Sequence, residues 1–294
     1  MLYDTHMHTK WSGDSEAIPT EMIASAKAKG LSGLTFTDHL DWDVPTLPHK
    51  FDLDVPNYLT EMQTLAAEYT DDHFSVHIGL ELGLQTHLTD KHHALLTEND
   101  FDFVIGSVHQ LDRADPYYDE FWENRDFRET YQYYFECTLE NIEAFPDFDA
   151  LGHIDYISRY GQRVAKSRRS RQTNAAISSD APQPSGLAPA SDGILHYHDH
   201  ASVVDAIFEF LIRHDKALEV NTAPYRYGFS EPNPSRQMLK RYHELGGRMV
   251  TIGADAHKPA DVAIGFAKLP ELLRDCGFTS YYIFSKRTPQ EIPL

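Results

Sequence analysis

Short apolar runs alternate along the chain with longer segments whose apolar residues recur at helical spacing. In the segment 203–213, for example, Ile207, Phe208 and Leu211 fall on one face of a helix. The alternation predicts helices over 19–29, 56–69, 91–96, 127–145, 203–213 and 234–246. It predicts strands over 2–3, 33–37, 74–80, 102–106, 148–151, 217–220, 249–252 and 281–284. Asp54 and Asn233 are the predicted N-terminal caps of the second and last helices.

Alternating strands and helices indicate a parallel sheet, because a helix is the usual crossover between parallel strands. Repeated over most of the 294 residues, the pattern predicts an α/β fold, a (β/α) barrel. A doubly wound open sheet is the alternative, but it would not bring the ends of the first and last strands together as readily. In a barrel, side chains at the carboxyl ends of the strands share one face, which holds the active site.

One segment, 165–201, interrupts this alternation. It begins with four basic residues, Lys166, Arg168, Arg169 and Arg171, and continues as a run rich in Ser, Ala, Pro and Gly. The run has no periodicity, so we expect a flexible low-complexity insertion within a single domain of residues 1–294. Its basic start either guides an anionic substrate or is a solvated loop.

The net charge of −19 argues against a general binder of nucleic acid or membranes, since phosphate surfaces are held by an excess of Lys and Arg. The chain lacks an apolar run long enough for a membrane helix, and its start lacks the pattern of a secretory signal. Cys137 and Cys276 are far apart, which favours two reduced thiols over a disulfide. We therefore expect a cytoplasmic protein. The sequence leaves its oligomeric state open.

Histidines and carboxylates follow the predicted strands closely. His6 and His8 follow the first strand, and Asp255 and His257 repeat the same i, i+2 spacing near the end of the chain. Residues at this spacing in an extended segment point the same way and can reach one cation. The full set of strand-end candidates is His6, His8, Asp14, His39, Glu81, His109, His153, Asp255 and His257. Such a set suits two or three divalent ions, namely Zn, Mn or Fe, with Glu81 as a bridge.

The motifs that carry these residues resemble those of the PHP (polymerase and histidinol phosphatase) superfamily. They are His6-x-His8 with Asp14, Thr37-Asp38-His39, Gly79-Leu80-Glu81, Ser107-Val108-His109, Gly152-His153-Ile154-Asp155 and Asp255-Ala256-His257. The resemblance implies a single PHP domain, a distorted (β/α)7 barrel and a trinuclear metal site. By resemblance, the three ions take His6, His8, Glu81 and Asp255; Glu81, His109 and His153; and Asp14, His39 and His257.

Within that superfamily, the length and spacing are similar to those of histidinol-phosphate phosphatases of the HisK/HisJ type. Arg159 and Arg226 resemble the family's phosphate-binding arginines, and a guanidinium can hold two phosphate oxygens at once. The resemblance implies hydrolysis of L-histidinol phosphate by a metal-bound hydroxide, with Asp255, His257 and Arg159 as catalytic residues. Acidic residues near the pocket would suit the ammonium and imidazole of the substrate, and the candidates are Asp41, Asp43, Asp112 and Asp115.

Two other functions compete with this interpretation. One is a PHP phosphoesterase that acts on nucleotides or DNA ends, which a basic groove would favour and the negative charge disfavours. The other is a non-catalytic metal-binding module. Loss of some of the family's ligand residues would favour this function, but all nine ligand positions are filled here. A phosphocysteine mechanism is poorly supported because neither Cys137 nor Cys276 is followed by an arginine five residues later.

Overall fold

The structure, a computed structural model, describes the backbone of residues 1–178 and 192–294 and the side chains of 1–171 and 192–294. The strands are β1 (Tyr3–Asp4), β2 (Gly33–Phe36), β3 (His39–Leu40), β4 (Ser75–Gly83), β5 (Phe103–Ser107), β6 (Ala150–Leu151), β7 (Ala217–Asn221), β8 (Val250–Gly253), β9 (Ser280–Ser285) and β10 (Thr288–Pro293). The helices are α1 (Pro19–Ala28), α2 (Val55–Tyr69), α3 (Thr89–Glu98), α4 (Phe127–Ala144), α5 (Ile157–Ser178), α6 (Ala201–Arg213), α7 (Arg236–Glu244) and α8 (Leu269–Asp275).

The main sheet is parallel and nearly closed into a barrel. Its strands follow the order β1-β2-β4-β5-β6-β7-β8, and the short β3 pairs with β4. The two ends of this order meet through backbone hydrogen bonds from Thr5 to Ile252 (3.0 Å) and from Asp255 to His6 (2.8 Å). The predicted (β/α) barrel is therefore confirmed, and its closure places the first strand end beside the last.

The barrel strands are short apolar runs because both of their faces are covered. Every residue of β2, β5, β7 and β8 is buried. The helices cover the outer face, and α6 contributes Val204, Ile207 and Phe208 to the core. The predicted strand over 281–284 is present as β9, but it pairs antiparallel with β10 in a separate hairpin. This hairpin packs on the barrel, with the Phe284 ring stacked 5.1 Å from that of Phe103.

The cap of α7 differs from the sequence prediction. Ser235 is the N-terminal cap, and its hydroxyl accepts from the backbone N–H of Met238 at 3.5 Å. Asn233, the predicted cap, instead donates its side-chain amide to Asp155 at 2.6 Å. Its backbone also pairs with Asn221 at the end of β7. Asn233 therefore ties the loop to the barrel, and the helix starts two residues later.

The expected flexible insertion over 165–201 begins within a helix. Helix α5 runs through this part to Ser178, because Ile157, Val164 and Ala165 bury one side of it against the core. Arg168 adds a hydrogen bond of 2.5 Å to the backbone carbonyl of Trp122. The expectation for residues 179–191 lies outside the described residues.

Cys137 and Cys276 are both free thiols, as the sequence predicted. Among the described residues, no helix has the length and apolar character needed to cross a bilayer.

Candidate metal centre and active site

The nine predicted metal ligands lie at one end of the barrel, in the strand ends or in the loops that follow them. His39 and Glu81 are within β3 and β4, and the others follow strands. Because β1 closes against β8, the loop of Asp255 and His257 lies directly beside His6 and His8, and Met7 pairs with Ala256. The closure of the barrel is therefore what assembles residues from both ends of the chain.

Glu81 occupies the middle of this cluster and is fully buried. Its Oε1 lies 3.1 Å from His109 Nε2 and 2.9 Å from His153 Nε2. Its Oε2 lies 3.0 Å from His6 Nε2 and 3.4 Å from His8 Nε2. One carboxylate thus faces two separate groups of imidazoles, which is the geometry of a bridging ligand.

Asp255 and Asp14 extend the cluster on the side of His8. Asp255 Oδ1 lies 3.3 Å from His8 Nε2 and 3.4 Å from His257 Nδ1. Asp14 Oδ2 lies 3.2 Å from His257 Nε2 and 3.9 Å from His39 Nε2. All nine side chains are therefore brought together, and Asp14 approaches a different pair of histidines from His6 and His8.

Burial and neighbouring charge set the protonation of this cluster. Burial alone would raise the pKa of Glu81, but the adjacent imidazoles of His6, His39 and His109 hold that pKa well below its usual range. Asp255 shows the same balance, with His8 and His6 lowering its pKa against the effect of burial. Burial lowers the pKa of His8 to about 3, with His257 and His39 adding to the effect. The site therefore offers ionised carboxylates and a neutral His8, which are the ligating forms.

Hydrogen bonds on the outer side of His6 and His8 fix which nitrogen faces the centre. Ser12 Oγ donates to Asp38 at 2.7 Å, so it can only accept from His8 Nδ1, 3.0 Å away. His6 Nδ1 likewise donates to the carboxylate of Glu219 at 2.5 Å. The two Nε2 atoms then face each other at 3.0 Å, and His6 Nε2 also lies 3.0 Å from Glu81 Oε2. Burial would lower the pKa of His6, but the carboxylates of Glu219 and Glu81 raise it, so a positive charge, either a proton or a metal ion, is favoured at this nitrogen.

The donor spacing also fits metal ions. Ligands held tetrahedrally at about 2.1 Å from one ion are roughly 3.4 Å apart, close to the separations around Glu81. Several sets of three side chains have ligand atoms within 4.8 Å of one another, among them His6, His8 and Glu81; His8, His39 and His257; and Glu81, His109 and His153. Two of these sets correspond to ion positions that the motifs imply, and the set of His8, His39 and His257 shares two residues with the implied third position but has His8 in place of Asp14.

Two buried carboxylates accept hydrogen bonds from metal-ligand candidates, and the sequence did not predict this role for either of them. Glu219 in β7 binds His6, and Asp41 accepts from His109 Nδ1 at 2.7 Å. Glu219 could have been noticed as a charged residue inside an apolar strand. It lies two positions before Asn221, so both side chains point to the same inward face of β7. Asp41 was considered only as a candidate for the substrate's cationic groups.

The loop of Asp255 is held in an unusual backbone conformation. Asp255 has a φ of 50°, in the left-handed region that costs a non-glycine residue about 1–3 kcal/mol. Arg226 Nη2 donates to the carbonyls of Ala254 (3.0 Å) and Asp255 (2.7 Å), and its Nη1 lies 3.3 Å from Asp261. Arg226 therefore supports the loop of Asp255, and it also lines the outer mouth of the site.

A cavity of about 290 Å³ opens onto Glu81, Asp255 and His257 and is lined by Arg159. The Arg159 guanidinium lies 4.9 Å from the centre of the Tyr160 ring and 5.1 Å from that of Tyr227, and its Nη2 donates to the Tyr160 hydroxyl at 2.9 Å. These contacts hold the positive charge of Arg159 beside the carboxylates and histidines. The arrangement suits an anionic group that would contact Arg159 and metal ions held by the cluster.

The four acidic candidates for the substrate's cationic groups divide into two pairs. Asp41 and Asp115 line the cavity. Asp43 instead pairs with His87 at 3.0 Å on the surface, and Asp112 accepts from the hydroxyl of Tyr133. Burial raises the pKa of Asp115, whose Oδ1 accepts from the backbone N–H of Tyr117 at 2.8 Å.

Comparison with known proteins gives a consistent result. A model of the PHP domain family matches residues 4–223. The chain is 28% identical over 286 residues to the histidinol-phosphatase of Lactococcus lactis subsp. lactis, with 96% of this chain and 94% of the relative covered. It is 27% identical over 288 residues to a Clostridium acetobutylicum protein named "Probable histidinol-phosphatase", with 98% of each chain covered.

A solved structure is also similar over nearly the whole chain. The crystal structure of histidinol phosphate phosphatase from Lactococcus lactis subsp. lactis, complexed with zinc, L-histidinol and phosphate, has a TM-score of 0.80 and 26% sequence identity. The similarity covers 98% of each chain.

Proposed function

The chain belongs to the PHP domain family, and on that premise we propose that it hydrolyses L-histidinol phosphate to L-histidinol and inorganic phosphate, a step of histidine biosynthesis. The observation that carries the proposal is the buried Glu81 carboxylate between two groups of histidines, at the floor of a cavity that also holds Arg159. The relatives that match over the whole chain are named for this reaction. The enzyme is a phosphoric monoester hydrolase.

We assign the nine clustered residues as ligands of two or three divalent ions. Glu81 is the proposed bridge, with His6, His8 and Asp255 on one side and His109 and His153 on the other. Asp14, His39 and His257 are the proposed ligands of a third ion. The zinc in the similar solved structure supports zinc as one of the ions, with manganese and iron as the other metals that suit these donors.

Divalent ions bound here would polarise the phosphoryl oxygens and lower the pKa of water toward about 7. The chain's own residues supply the rest. Arg159 is the proposed ligand of the phosphate, because its guanidinium is held beside Asp255 and His257 in the same cavity. The proposal keeps Arg226 as a second phosphate contact at the outer mouth of the site.

Asp255 and His257 complete the proposed catalytic set. Both side chains line the cavity, and His257 Nδ1 donates to the backbone carbonyl of Asp255 at 3.0 Å, which leaves its Nε2 free to face Asp14. The proposal treats residues 1–294 as a single PHP domain. It places the enzyme in the cytoplasm, where the free thiols of Cys137 and Cys276 fit a reducing compartment.

A phosphate-release assay tests the proposal. Purified protein supplied with zinc or manganese is compared on L-histidinol phosphate, p-nitrophenyl phosphate and a nucleoside monophosphate at equal concentrations. We expect kcat/KM for L-histidinol phosphate to exceed the other two by at least about 100-fold, which is below the upper range of about 10⁴–10⁵ that recognition of a polar substrate group can reach. A preference for the nucleotide would favour the competing phosphoesterase function. Absence of hydrolysis with all three substrates would refute the proposal that the protein is a phosphatase.

A further inference from the structure

We propose that Glu219 is a positioning residue that fixes the ligands of two different metal ions, His6 and His153, relative to each other. The inference rests on the metal site assigned above. It concerns a buried carboxylate that is not among the nine predicted ligands and lies behind them, on the inward face of β7.

Each oxygen of Glu219 serves a different ligand. Oε1 accepts from His6 Nδ1 at 2.5 Å, and Oε2 accepts from the backbone N–H of His153 at 2.7 Å. Asn221, two residues on, donates its side-chain amide to Oε1 at 3.2 Å. The side chain is fully buried. A buried carboxylate is costly unless its oxygens are satisfied, and two of the three partners here, His6 and His153, are proposed metal ligands.

The two ligands belong to opposite sides of Glu81. His6 Nε2 approaches Glu81 Oε2, whereas His153 Nε2 approaches Glu81 Oε1. Since Glu219 holds the back of one imidazole and the backbone of the other residue, it sets the spacing between the two ion positions. It also keeps the His6 proton on Nδ1, so that Nε2 is available to the metal and becomes a stronger donor.

Packing around Glu219 restricts its position. A side chain at Gly253 would place its Cβ 2.3 Å from the Cβ of His6 and 2.9 Å from Glu219 Oε1. The close approach of β8 to this pair therefore requires glycine, and it limits alternative orientations of the carboxylate. Glutamine at position 219 loses at least one of the two contacts, because its amide nitrogen can accept from neither the His153 N–H nor the His6 Nδ1–H, and aspartate is one methylene shorter.

The test is zinc titration of metal-depleted protein, using competition with a chelator, for the wild type, Glu219→Gln and Glu219→Asp. Glu209→Gln is the matched control, because Glu209 is exposed on α6. We expect zinc affinity at one or more sites to fall by about 10- to 100-fold in both Glu219 variants, the range found for outer partners of metal ligands. We expect the control to bind like the wild type.

Kinetics separate positioning from a general loss of structure. We expect kcat on L-histidinol phosphate to fall with KM changed less than about twofold, and excess zinc to restore part of the activity. Circular dichroism of the metal-depleted variants checks their fold, and Glu219→Asp serves if Glu219→Gln does not fold. Wild-type zinc affinity in a folded Glu219 variant would overturn the inference. Inactive wild-type protein would instead refute the proposed function, and the zinc comparison would still decide the role of Glu219.

Discussion

His109 Nδ1 lies 2.7 Å from Asp41 Oδ1, so a buried carboxylate holds His109 from behind while its Nε2 faces Glu81. We expect Asp41→Asn to weaken this support, because an amide can present its NH2 group to His109 and favour the wrong tautomer. The predicted result is a fall in kcat/KM of about 10- to 100-fold with reduced metal content. Activity assays and elemental analysis measure both.

The matched control for Asp41 is two residues away. Asp43 is exposed and pairs with His87 on the surface. Asp43→Asn is expected to keep wild-type activity and metal content. Equal behaviour of the Asp41 and Asp43 variants would contradict the role of Asp41 as the support of His109.

Glu81→Gln tests the bridging carboxylate itself. Removal of the negative charge leaves the imidazoles of His6, His109 and His153 around a neutral amide that cannot bridge two cations. We expect at least one ion per chain to be lost and kcat to fall by about 1000-fold or more, comparable to the loss of a main electrostatic contributor. Glu68→Gln, at an exposed position of α2, is the control. Retained hydrolysis in the Glu81 variant would rule out the metal mechanism.

Arg159→Lys tests whether the guanidinium contacts phosphate through two hydrogen bonds. Lysine keeps the charge but loses the planar fork and the stacking on Tyr160 and Tyr227. We expect kcat/KM to fall by about 10- to 100-fold, corresponding to hydrogen bonds of about 1.5–3 kcal/mol to a charged group. The control is Arg163→Lys, because Arg163 also stacks on Tyr160 but pairs with Asp119. A similar fall in kcat/KM in both variants would indicate that the contact with the Tyr160 ring is what matters, and that phosphate contact by Arg159 is not.

The clustering of the nine candidate ligands could be predicted from sequence because each one follows a predicted apolar strand, and a parallel barrel brings all such ends together. His6 and Asp255 are far apart in the chain, but the closure of β1 against β8 makes them neighbours. Glu219 was harder to find. It lies inside a strand, and its role depends on which inward side chains meet across the barrel.

Other parts of the fold depended on packing that local sequence patterns do not reveal. The beginning of 165–201 is rich in basic residues, yet Val164 and Ala165 extend a helix by packing on the core. Asn233 and Ser235 are both good caps, and only the tertiary contact of Asn233 with Asp155 decides between them. Arg226 was predicted to bind phosphate, and its bonds to the loop of Asp255 could not be read from its position in the chain.

His92 predicts a pH dependence of stability that is independent of metal binding. Its ring is buried between Trp42 and Phe145, and neither ring nitrogen has a hydrogen-bond partner among the described residues. Burial lowers the pKa of His92 to about 4, against about 6.5 in the unfolded chain. The unfolded state therefore binds the proton more tightly, and stability is lost as pH falls from about 6.5 toward 4.

We expect this single group to reduce the free energy of unfolding by about 2 kcal/mol between pH 7 and pH 5. His92→Phe keeps the ring stacking and removes the titration, so its stability should fall less over the same interval. Denaturant unfolding of both metal-depleted proteins at the two pH values gives the comparison. The other histidines contribute equally to both proteins, so identical pH dependence would contradict the assignment.

We propose Asp115 as the carboxylate that binds the cationic part of L-histidinol phosphate. It lines the cavity together with Tyr117, Tyr118 and Tyr160, and its Oδ2 makes no hydrogen bond with the described residues. A carboxylate in this partly buried position attracts an ammonium or imidazolium more strongly than it would in water. We therefore expect Asp115→Asn to raise KM for L-histidinol phosphate by about tenfold, which corresponds to about 1.4 kcal/mol.

The same variant should leave p-nitrophenyl phosphate hydrolysis nearly unchanged, because that substrate carries the phosphate without a cation. The ratio of the two kcat/KM values thus isolates recognition of the organic part from catalysis at the metal centre. Asp112→Asn is the matched control, since Asp112 is exposed and bound to the Tyr133 hydroxyl. If Asp115→Asn slowed both substrates equally, Asp115 would act on the metal centre, through its neighbour His109, and another group would have to bind the substrate's cation.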